Sequence, residues 1–311
     1  MIEFDNPLTG RKLSVRRRIG EFTQGRPGPL LVVIAGLHGN ERSGVIACDR
    51  VMNVLRGESP PFFGHIVGVA GHLAALAAGV RYLDRDLNRI WQADRVAELL
   101  AGRPPAFAEE AELADVVRTV EEFRHRAGEN VFLDLHTTSS ESVPYISVPH
   151  DAASVELASG FPLDAVVGAG DALVGVADRY WIDRGFRGFT FEAGQHGRLA
   201  SIEAQEAMIW TALHRLGCLV EPRAAAEPHL ARTQLDGPRF YRVAHVHRIT
   251  PGRGFRMKPG FFNFQRVRQG DLLAWEGDAP IVAPCDGRIF LPLYQPQGDD
   301  GFTIVQPLTG R

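Results

Sequence analysis

The segment Leu30–Leu55, LLVVIAGLHGNERSGVIACDRVMNVL, predicts a strand, a turn and a helix in that order. Residues 30–35 are continuously apolar, which is typical of a strand buried on both faces. Apolar side chains then recur at helical spacing over 43–55, and the pair Pro60-Pro61 follows the predicted helix. A buried strand that leads through a glycine-rich turn into a helix is the start of an α/β unit.

The same alternation of apolar strands and amphipathic helices continues along the chain. Further strands are predicted at Ile66–Ala70, Val131–Leu135 and Phe189–Glu192, with helices over 111–126 and 201–216. Residues 1–220 therefore predict an α/β domain with a mostly parallel, mixed sheet and flanking helices. Ligand sites in such folds lie beyond the carboxyl ends of the strands, where this chain places its polar clusters.

The composition changes near Glu221. From Phe240 onward, short apolar stretches alternate with Gly, Pro and Asp, and the helical pattern is absent. This pattern predicts hairpins, and residues 221–311 are expected to form a small all-β C-terminal domain.

Composition excludes several classes of function. The chain has 311 residues, 45% of them hydrophobic, and a formal net charge of -3, so it lacks the basic excess expected of a nucleic-acid-binding protein. Its longest apolar runs are far shorter than the roughly 20 residues that span a bilayer. The three cysteines have no CxxC spacing, and no signal peptide is evident, so we expect a protein of the reducing cytoplasm.

A candidate metal site follows two of the predicted strands. His38 and Glu41 are three residues apart where a turn enters a helix, so they can face one ion. This pair alone also fits a surface histidine, but His136 ends another buried strand and supplies a third ligand. Two histidines and a glutamate leave one position open on zinc, as catalytic sites require. Asp134, on the same strand face as His136, is predicted to hold that imidazole in place.

One further carboxylate, Glu192, ends the strand that begins at Phe189. Because a buried charge is costly without a task or a partner, we predict that Glu192 is a general base. The alternative is a structural salt bridge.

The segment Arg81–Arg89, RYLDRDLNR, is dense in charge yet contains two leucines. Arg81 is predicted to stabilise an oxyanion, while Asn88 and Arg89 are predicted to bind a substrate carboxylate. The two aspartates between them are expected to brace the arginines. The alternative is an exposed charged loop.

Four motifs together resemble the aspartoacylase/succinylglutamate desuccinylase family, whose members are relatives of the zinc carboxypeptidases. The motifs are Gly36–Glu41, Arg81–Arg89, Asp134–Thr138 and Glu192–Gly194. The resemblance implies one Zn²⁺ per chain on His38, Glu41 and His136, Glu192 as catalytic carboxylate, Arg81 at the carbonyl oxygen, and Asn88 and Arg89 at the substrate carboxylate. It also implies a zinc-carboxypeptidase-like fold and the hydrolysis of N-acyl amino acids.

The resemblance leaves the substrate open. Family members carry Arg and Tyr groups ahead of the catalytic glutamate that hold a second carboxylate. Arg184 and Arg187 lie in that region and are predicted to bind substrate, although they are not in the family's register. Tyr294 is predicted near the substrate, in a C-terminal domain that narrows the mouth of the site. N-acetyl and N-succinyl amino acids both remain candidates.

Two alternatives stay open from the sequence. One is a zinc carboxypeptidase acting on small peptides, and the other is a non-catalytic zinc-binding scaffold. The presence of Glu192 and Arg81 argues against the scaffold, because metal binding needs neither. The expected partner is a small carboxylate-bearing molecule rather than a membrane or a nucleic acid, and a homo-oligomer is left open.

Overall fold

The computed structural model of the chain describes residues 1–124, 128–171, 173–223, 230 and 239–308. The strands are β1 (Ile2–Asn6), β2 (Arg11–Val15), β3 (Arg18–Thr23), β4 (Leu30–Ala35), β5 (His65–Ala70), β6 (Asn130–Thr138), β7 (Tyr145–Val148), β8 (Asp164–Val167), β9 (Phe186–Gln195), β10 (Phe240–Arg248), β11 (Phe255–Met257), β12 (Arg266–Val267), β13 (Leu272–Glu276), β14 (Ala279–Val282), β15 (Gly287–Phe290) and β16 (Asp300–Pro307). The helices are α1 (Ser43–Glu58), α2 (Leu73–Ala78), α3 (Ala93–Leu100), α4 (Ala108–Arg124), α5 (Ala152–Ser159), α6 (Ala177–Ile182) and α7 (Leu199–Arg215), and a 3₁₀ turn covers Leu87–Arg89.

An 11-stranded sheet forms the centre of the molecule, in the order β12-β15-β16-β10-β8-β7-β9-β6-β4-β5-β3. Strand β4 lies between β5 and β6 and is parallel to both, and β6 is also parallel to β9. Strand β7 runs antiparallel to β9. The sequence prediction of a mixed α/β sheet with flanking helices is therefore confirmed.

The two faces of the sheet are covered by helices, as the apolar run of β4 predicted. Leu31, Val33 and Ala35 join the core on the face covered by α1 and α7, while residues 30, 32 and 34 join the core with α3, α4 and α6. All six residues are fully buried. Successive side chains of a strand point to opposite faces of the sheet, and both faces of β4 are buried. Every position of the strand must therefore be apolar, which explains the uninterrupted apolar run.

The C-terminal region is β-rich, and among residues 239–308 the structure describes strands and no helix. Strand β10 pairs in parallel with β8, and β16, β15 and β12 continue the large sheet from it. Strands β11, β13 and β14 form a separate three-stranded sheet. The large sheet thus crosses the predicted 220/221 boundary without a break in pairing between β8 and β10, and the division into two domains stays a prediction.

Candidate active site

The turn between β4 and α1 delivers His38 and Glu41 to the carboxyl edge of the sheet. Gly36 has φ of +71°, a left-handed conformation that glycine adopts without strain. At Gly39 a Cβ atom would lie 2.0 Å from the carbonyl carbon of Ala75, so only glycine allows this close approach to α2. The backbone of Gly39 also donates to the carbonyl oxygen of Arg81 at 3.1 Å, which ties the turn to the second charged motif.

His38, Glu41 and His136 meet in one buried cluster, where a ligand atom from each lies within 4.8 Å of the others. The Nδ1 atom of His38 is 2.9 Å from Oε1 of Glu41, and the Nδ1 atom of His136 is 3.1 Å from Oε2 of the same carboxylate. The carboxylate thus lies between the two imidazoles. The structure brings together the three residues predicted as metal ligands.

Each imidazole of the cluster has its own outer carboxylate. The Nε2 atom of His38 lies 3.0 Å from Oδ1 of Asp86, and the Nε2 atom of His136 lies 3.0 Å from Oδ2 of Asp134. In the neutral form that binds a metal, a proton on Nε2 facing these acceptors would leave the lone pair of each Nδ1 atom directed at the cluster. This carboxylate–histidine arrangement is typical of zinc ligands, so the residues present fit a zinc ion. Asp86 also accepts from Arg81, as the sequence predicted, whereas its bond to His38 was not foreseen.

The charges of the cluster stabilise one another. Burial raises the pKa of the Glu41 carboxyl, but the adjacent imidazoles of His38 and His136 outweigh this and hold the pKa well below its usual value. Burial lowers the pKa of His136, but the carboxylates of Asp134 and Glu41 outweigh it and raise the pKa well above the usual value. Glu41 is therefore ionised, which is the state that binds a metal.

Glu192 lies beside the cluster without belonging to it. On the parallel pair β6–β9 it is in register with His136, and on the antiparallel pair β7–β9 it is in register with Tyr145. Its Oε2 atom is buried and has no hydrogen-bond partner among the described residues. Burial raises the pKa of Glu192 to about 8, and repulsion from Glu41 adds to this, while His136 and Arg81 oppose it. A carboxylate with a raised pKa is suited to exchanging protons near neutral pH.

Arg81 points into the same cavity. Its Nη2 atom is 2.9 Å from Oδ2 of Asp86, and its Nη1 atom is 3.6 Å from Oε1 of Glu41. The loop that carries Arg81 is held by Glu109, whose Oε1 atom accepts the backbone N–H groups of Leu83 and Asp84. Sequence reasoning missed Glu109, because a glutamate in the first turn of a helix is an ordinary surface residue in a sequence.

Asn88 and Arg89 line the cavity on the side of α6. The Oδ1 atom of Asn88 accepts the backbone N–H of Ala177 at 2.8 Å, so the amide is fixed in orientation. Arg89 lies 3.4 Å from Asp300 at the start of β16. Both residues are partly buried, whereas Leu83, Asp84 and Arg85 are exposed, so the alternative of an exposed charged loop fits only the middle of this segment.

The C-terminal region forms one wall of the cavity, through Leu293, Gln295 and neighbouring residues. The amide of Gln295 accepts from Nδ2 of Asn40 at 3.0 Å, which links this wall to the β4–α1 turn. Tyr294 is 39% exposed and points away: its hydroxyl donates to the carbonyl oxygen of Lys258 at 2.7 Å. The prediction that Tyr294 lies near the substrate is therefore corrected, because its two neighbours line the cavity and it does not.

Arg184 and Arg187, predicted to bind substrate, do not reach the cavity. The guanidinium of Arg184 lies 3.7 Å from the ring centroid of Tyr180, and Arg187 forms an ion pair with Glu129. Arg187 is five residues before Glu192 on the same strand, a distance of about 16 Å at 3.3 Å per residue. It therefore lies toward the amino end of β9, while the site lies at the carboxyl end, and the prediction is wrong for both arginines.

The cavity-lining residues that were missed from the sequence include Tyr145 and Asp178. Tyr145 lies in a short apolar run that predicts a core strand, and only its antiparallel pairing to β9 places it beside Glu192. Its hydroxyl is buried and has no hydrogen-bond partner in the described part of the chain. Asp178 lies on α6, which is brought to the site by contacts with β9 and β6.

Fold and site together define an α/β protein with a buried two-histidine, one-glutamate cluster at the carboxyl edge of a mixed sheet, beside an unligated glutamate. Residues 27–213 match the model of the Succinylglutamate desuccinylase/Aspartoacylase catalytic domain. That segment is more than half of the chain and contains the whole cluster, and the protein belongs to this family.

Relatives with known names agree with this assignment. A succinylglutamate desuccinylase of Serratia proteamaculans (strain 568) is 29% identical over 148 residues, covering 44% of this chain and 42% of that protein. The chain thus spans less than half the length of the curated relatives it matches.

Two solved structures share the fold across most of the chain. A succinylglutamate desuccinylase/aspartoacylase from Rhodobacter sphaeroides has a TM-score of 0.68 at 18% identity, covering 92% of this chain and 87% of that one. A product-bound ectoine utilization protein EutE (DoeB) from Ruegeria pomeroyi has a TM-score of 0.66 at 20% identity, covering 92% and 88%. Among the described residues, no helix combines the length and apolar character needed to cross a bilayer.

Proposed function

We propose that the protein is a zinc-dependent deacylase that hydrolyses the amide bond of an N-acyl amino acid. The observation that carries this proposal is the position of Glu192, in register with His136 on the neighbouring strand, with a buried oxygen that has no partner among the described residues. A structural metal site needs no such carboxylate, whereas hydrolysis needs a group that moves a proton.

The proton transfers fall to Glu192. When bound by His38, Glu41 and His136, zinc supplies Lewis acidity, which acidifies water and polarises a carbonyl. Glu192 accepts a proton from the attacking water and donates it to the leaving nitrogen, so its carboxyl must take both states in one cycle. Its raised pKa reduces the free energy needed to hold that proton at neutral pH.

Arg81 and the adjoining loop bind the rest of the substrate. The guanidinium of Arg81 is held against Asp86 and directed toward the cluster, where it can donate to the carbonyl oxygen as negative charge develops. Asn88 and Arg89 lie on one 3₁₀ turn and would bind the carboxylate of the amino acid. The substrate is thereby held at both ends of the bond that breaks.

The wall contributed by the C-terminal region favours small substrates over peptides. Leu293 and Gln295 close the side of the cavity that faces α1, and the bond between Gln295 and Asn40 fixes that side. Hydrolysis of dipeptides in preference to N-acyl amino acids would favour the zinc carboxypeptidase alternative instead. The three free cysteines support the cytoplasm as its compartment.

The test is Glu192→Gln, assayed against N-acetyl and N-succinyl amino acids. We expect zinc content by atomic absorption to match the wild type, because Glu192 is outside the cluster, while kcat/KM falls about 10²- to 10⁴-fold. Glu156→Gln, an exposed site on α5, is the matched control and should change neither quantity. Normal turnover by the Glu192→Gln protein, or wild-type turnover unaffected by a zinc chelator, would refute the proposal.

A further inference from the structure

Asp178 is a cavity-lining carboxylate that the proposed chemistry does not use. It is 7% exposed and forms no ion pair with any residue that the structure describes. Its Oδ1 atom accepts the backbone N–H of Arg179 at 2.7 Å. A carboxylate this deeply buried without a cation is costly, which suggests that a ligand supplies the missing positive charge.

Apart from the exposed Asp299, the other acids that line the cavity have partners or tasks. Asp86 binds Arg81 and His38, and Asp300 lies 3.4 Å from Arg89. Glu41 is a predicted metal ligand, and Glu192 is the proposed proton carrier. Asp178 alone among these carboxylates is left with an unmatched charge, and burial raises the pKa of its carboxyl to about 6.

The positively charged residues of the cavity also argue against a substrate with an acidic side chain. Among the described lining residues, the arginines are Arg81 and Arg89, and the proposed function already assigns them to the carbonyl oxygen and to the α-carboxylate of the substrate. No lysine lines the cavity in the described part of the chain. A substrate with an acidic side chain in addition to its α-carboxylate would therefore lack a free cation to bind it.

Asp178 also adjoins a group that is proposed to bind the α-carboxylate. The residue before it, Ala177, donates its backbone N–H to Oδ1 of Asn88, one of the two groups proposed to bind the α-carboxylate. The carboxylate of Asp178 faces Gly170, where a Cβ atom would come within 3.2 Å of Oδ2. Because Gly170 has no side chain, it does not crowd the carboxylate of Asp178, and both residues line the cavity.

We propose that Asp178 selects substrates whose amino-acid side chain carries a positively charged amino group, so that N-acyl diamino acids are the preferred class. This inference rests on the proposed deacylase function and names its substrate. The ammonium group would form a charge-assisted bond with the buried carboxylate, and a neutral or acidic side chain would leave that carboxylate unpaired.

The experiment compares Nα-acetylornithine, N-acetylnorvaline and N-acetylaspartate as substrates of the zinc-loaded protein. We expect kcat/KM for the ornithine derivative to exceed that for the norvaline derivative at least tenfold. The Asp178→Asn substitution should reduce this ratio at least tenfold. Asp183→Asn, an exposed site that follows the same helix, is the matched control. A wild-type preference for the aspartate derivative, or a ratio that Asp178→Asn leaves unchanged, overturns the inference.

A binding measurement separates this inference from the proposed function. Free ornithine and norvaline are titrated calorimetrically into wild-type protein, where no turnover occurs. If no acyl amino acid is hydrolysed, the deacylase proposal fails, and ornithine binding that depends on Asp178 still supports the charge-selecting pocket. Equal binding of ornithine and norvaline overturns the inference that Asp178 selects a positive charge. The deacylase proposal would still stand if other acyl amino acids were hydrolysed. If the Asp178→Asn protein does not fold, the comparison of ornithine and norvaline binding to the wild-type protein still tests the inference.

Discussion

The outer carboxylate of His136 offers the most direct test of the metal centre. Asp134 is 1% exposed, and its Oδ2 atom lies 3.0 Å from Nε2 of the imidazole. Water therefore cannot replace it. Asp134→Asn keeps the shape and one acceptor oxygen but removes the negative charge that makes the imidazole a stronger ligand. We expect this protein to fold normally and to bind zinc more weakly.

The magnitude follows from what each substitution removes. Outer partners of metal-bound histidines contribute about 10- to 100-fold in affinity, which is about 1.4 to 2.7 kcal/mol. Asp134→Asn retains a hydrogen bond and should fall near tenfold. Asp134→Ala also leaves a buried N–H of His136 without its acceptor, which costs about 1–3 kcal/mol in itself, so the loss should be near 100-fold.

The assay is competition for zinc against a chromophoric chelator, with thermal unfolding of the metal-free proteins measured in parallel. Asp115→Asn on α4, where the side chain is 60% exposed, is the control and should bind zinc as the wild type does. If both Asp134 proteins bind zinc with wild-type affinity, the assignment of His136 as a ligand fails.

Three further predictions follow from other contacts. Arg81→Ala should lower kcat/KM by about 10²- to 10³-fold, measured against Arg95→Ala, because it removes a donor to the developing oxyanion. Burial raises the pKa of Glu112, but His72 and Arg17 outweigh this and lower the pKa to about 2. The ionised carboxylate therefore stabilises the fold fully above its usual pKa of 4.5, and this stabilisation is lost as the pH falls toward 2. Glu112→Gln should remove about 3 kcal/mol of this pH dependence from the free energy of unfolding measured in urea, and an unchanged pH profile would contradict the prediction. Burial raises the pKa of the Cys218 thiol to about 12, whereas Cys285 is partly exposed. Iodoacetamide should therefore label Cys285 before Cys218, which peptide mass spectrometry would show. Equal labelling of the two cysteines in the folded protein would contradict the prediction.

The local sequence determined the strands and helices and the residues available as metal ligands. The apolar run Leu30–Ala35 can only be buried on both faces, and the glycines after it permit the turn that presents His38 and Glu41. Helix α1 ends at Glu58, just ahead of Pro60-Pro61, as a proline pair requires. Such features depend on neighbouring residues along the chain, and for that reason they could be predicted without a structure.

The pairing of the strands was decided only by the tertiary structure. Arg187 and Glu192 are close in sequence, yet five residues of extended strand separate them by about 16 Å, so proximity along the chain misassigned the arginine. Tyr145 and Asp178 reach the cavity because β7 pairs with β9 and α6 packs against that strand. Which apolar strands become neighbours depends on packing the whole chain into one core. The sequence therefore determined the chemical groups available, and the fold decided which of them share a site.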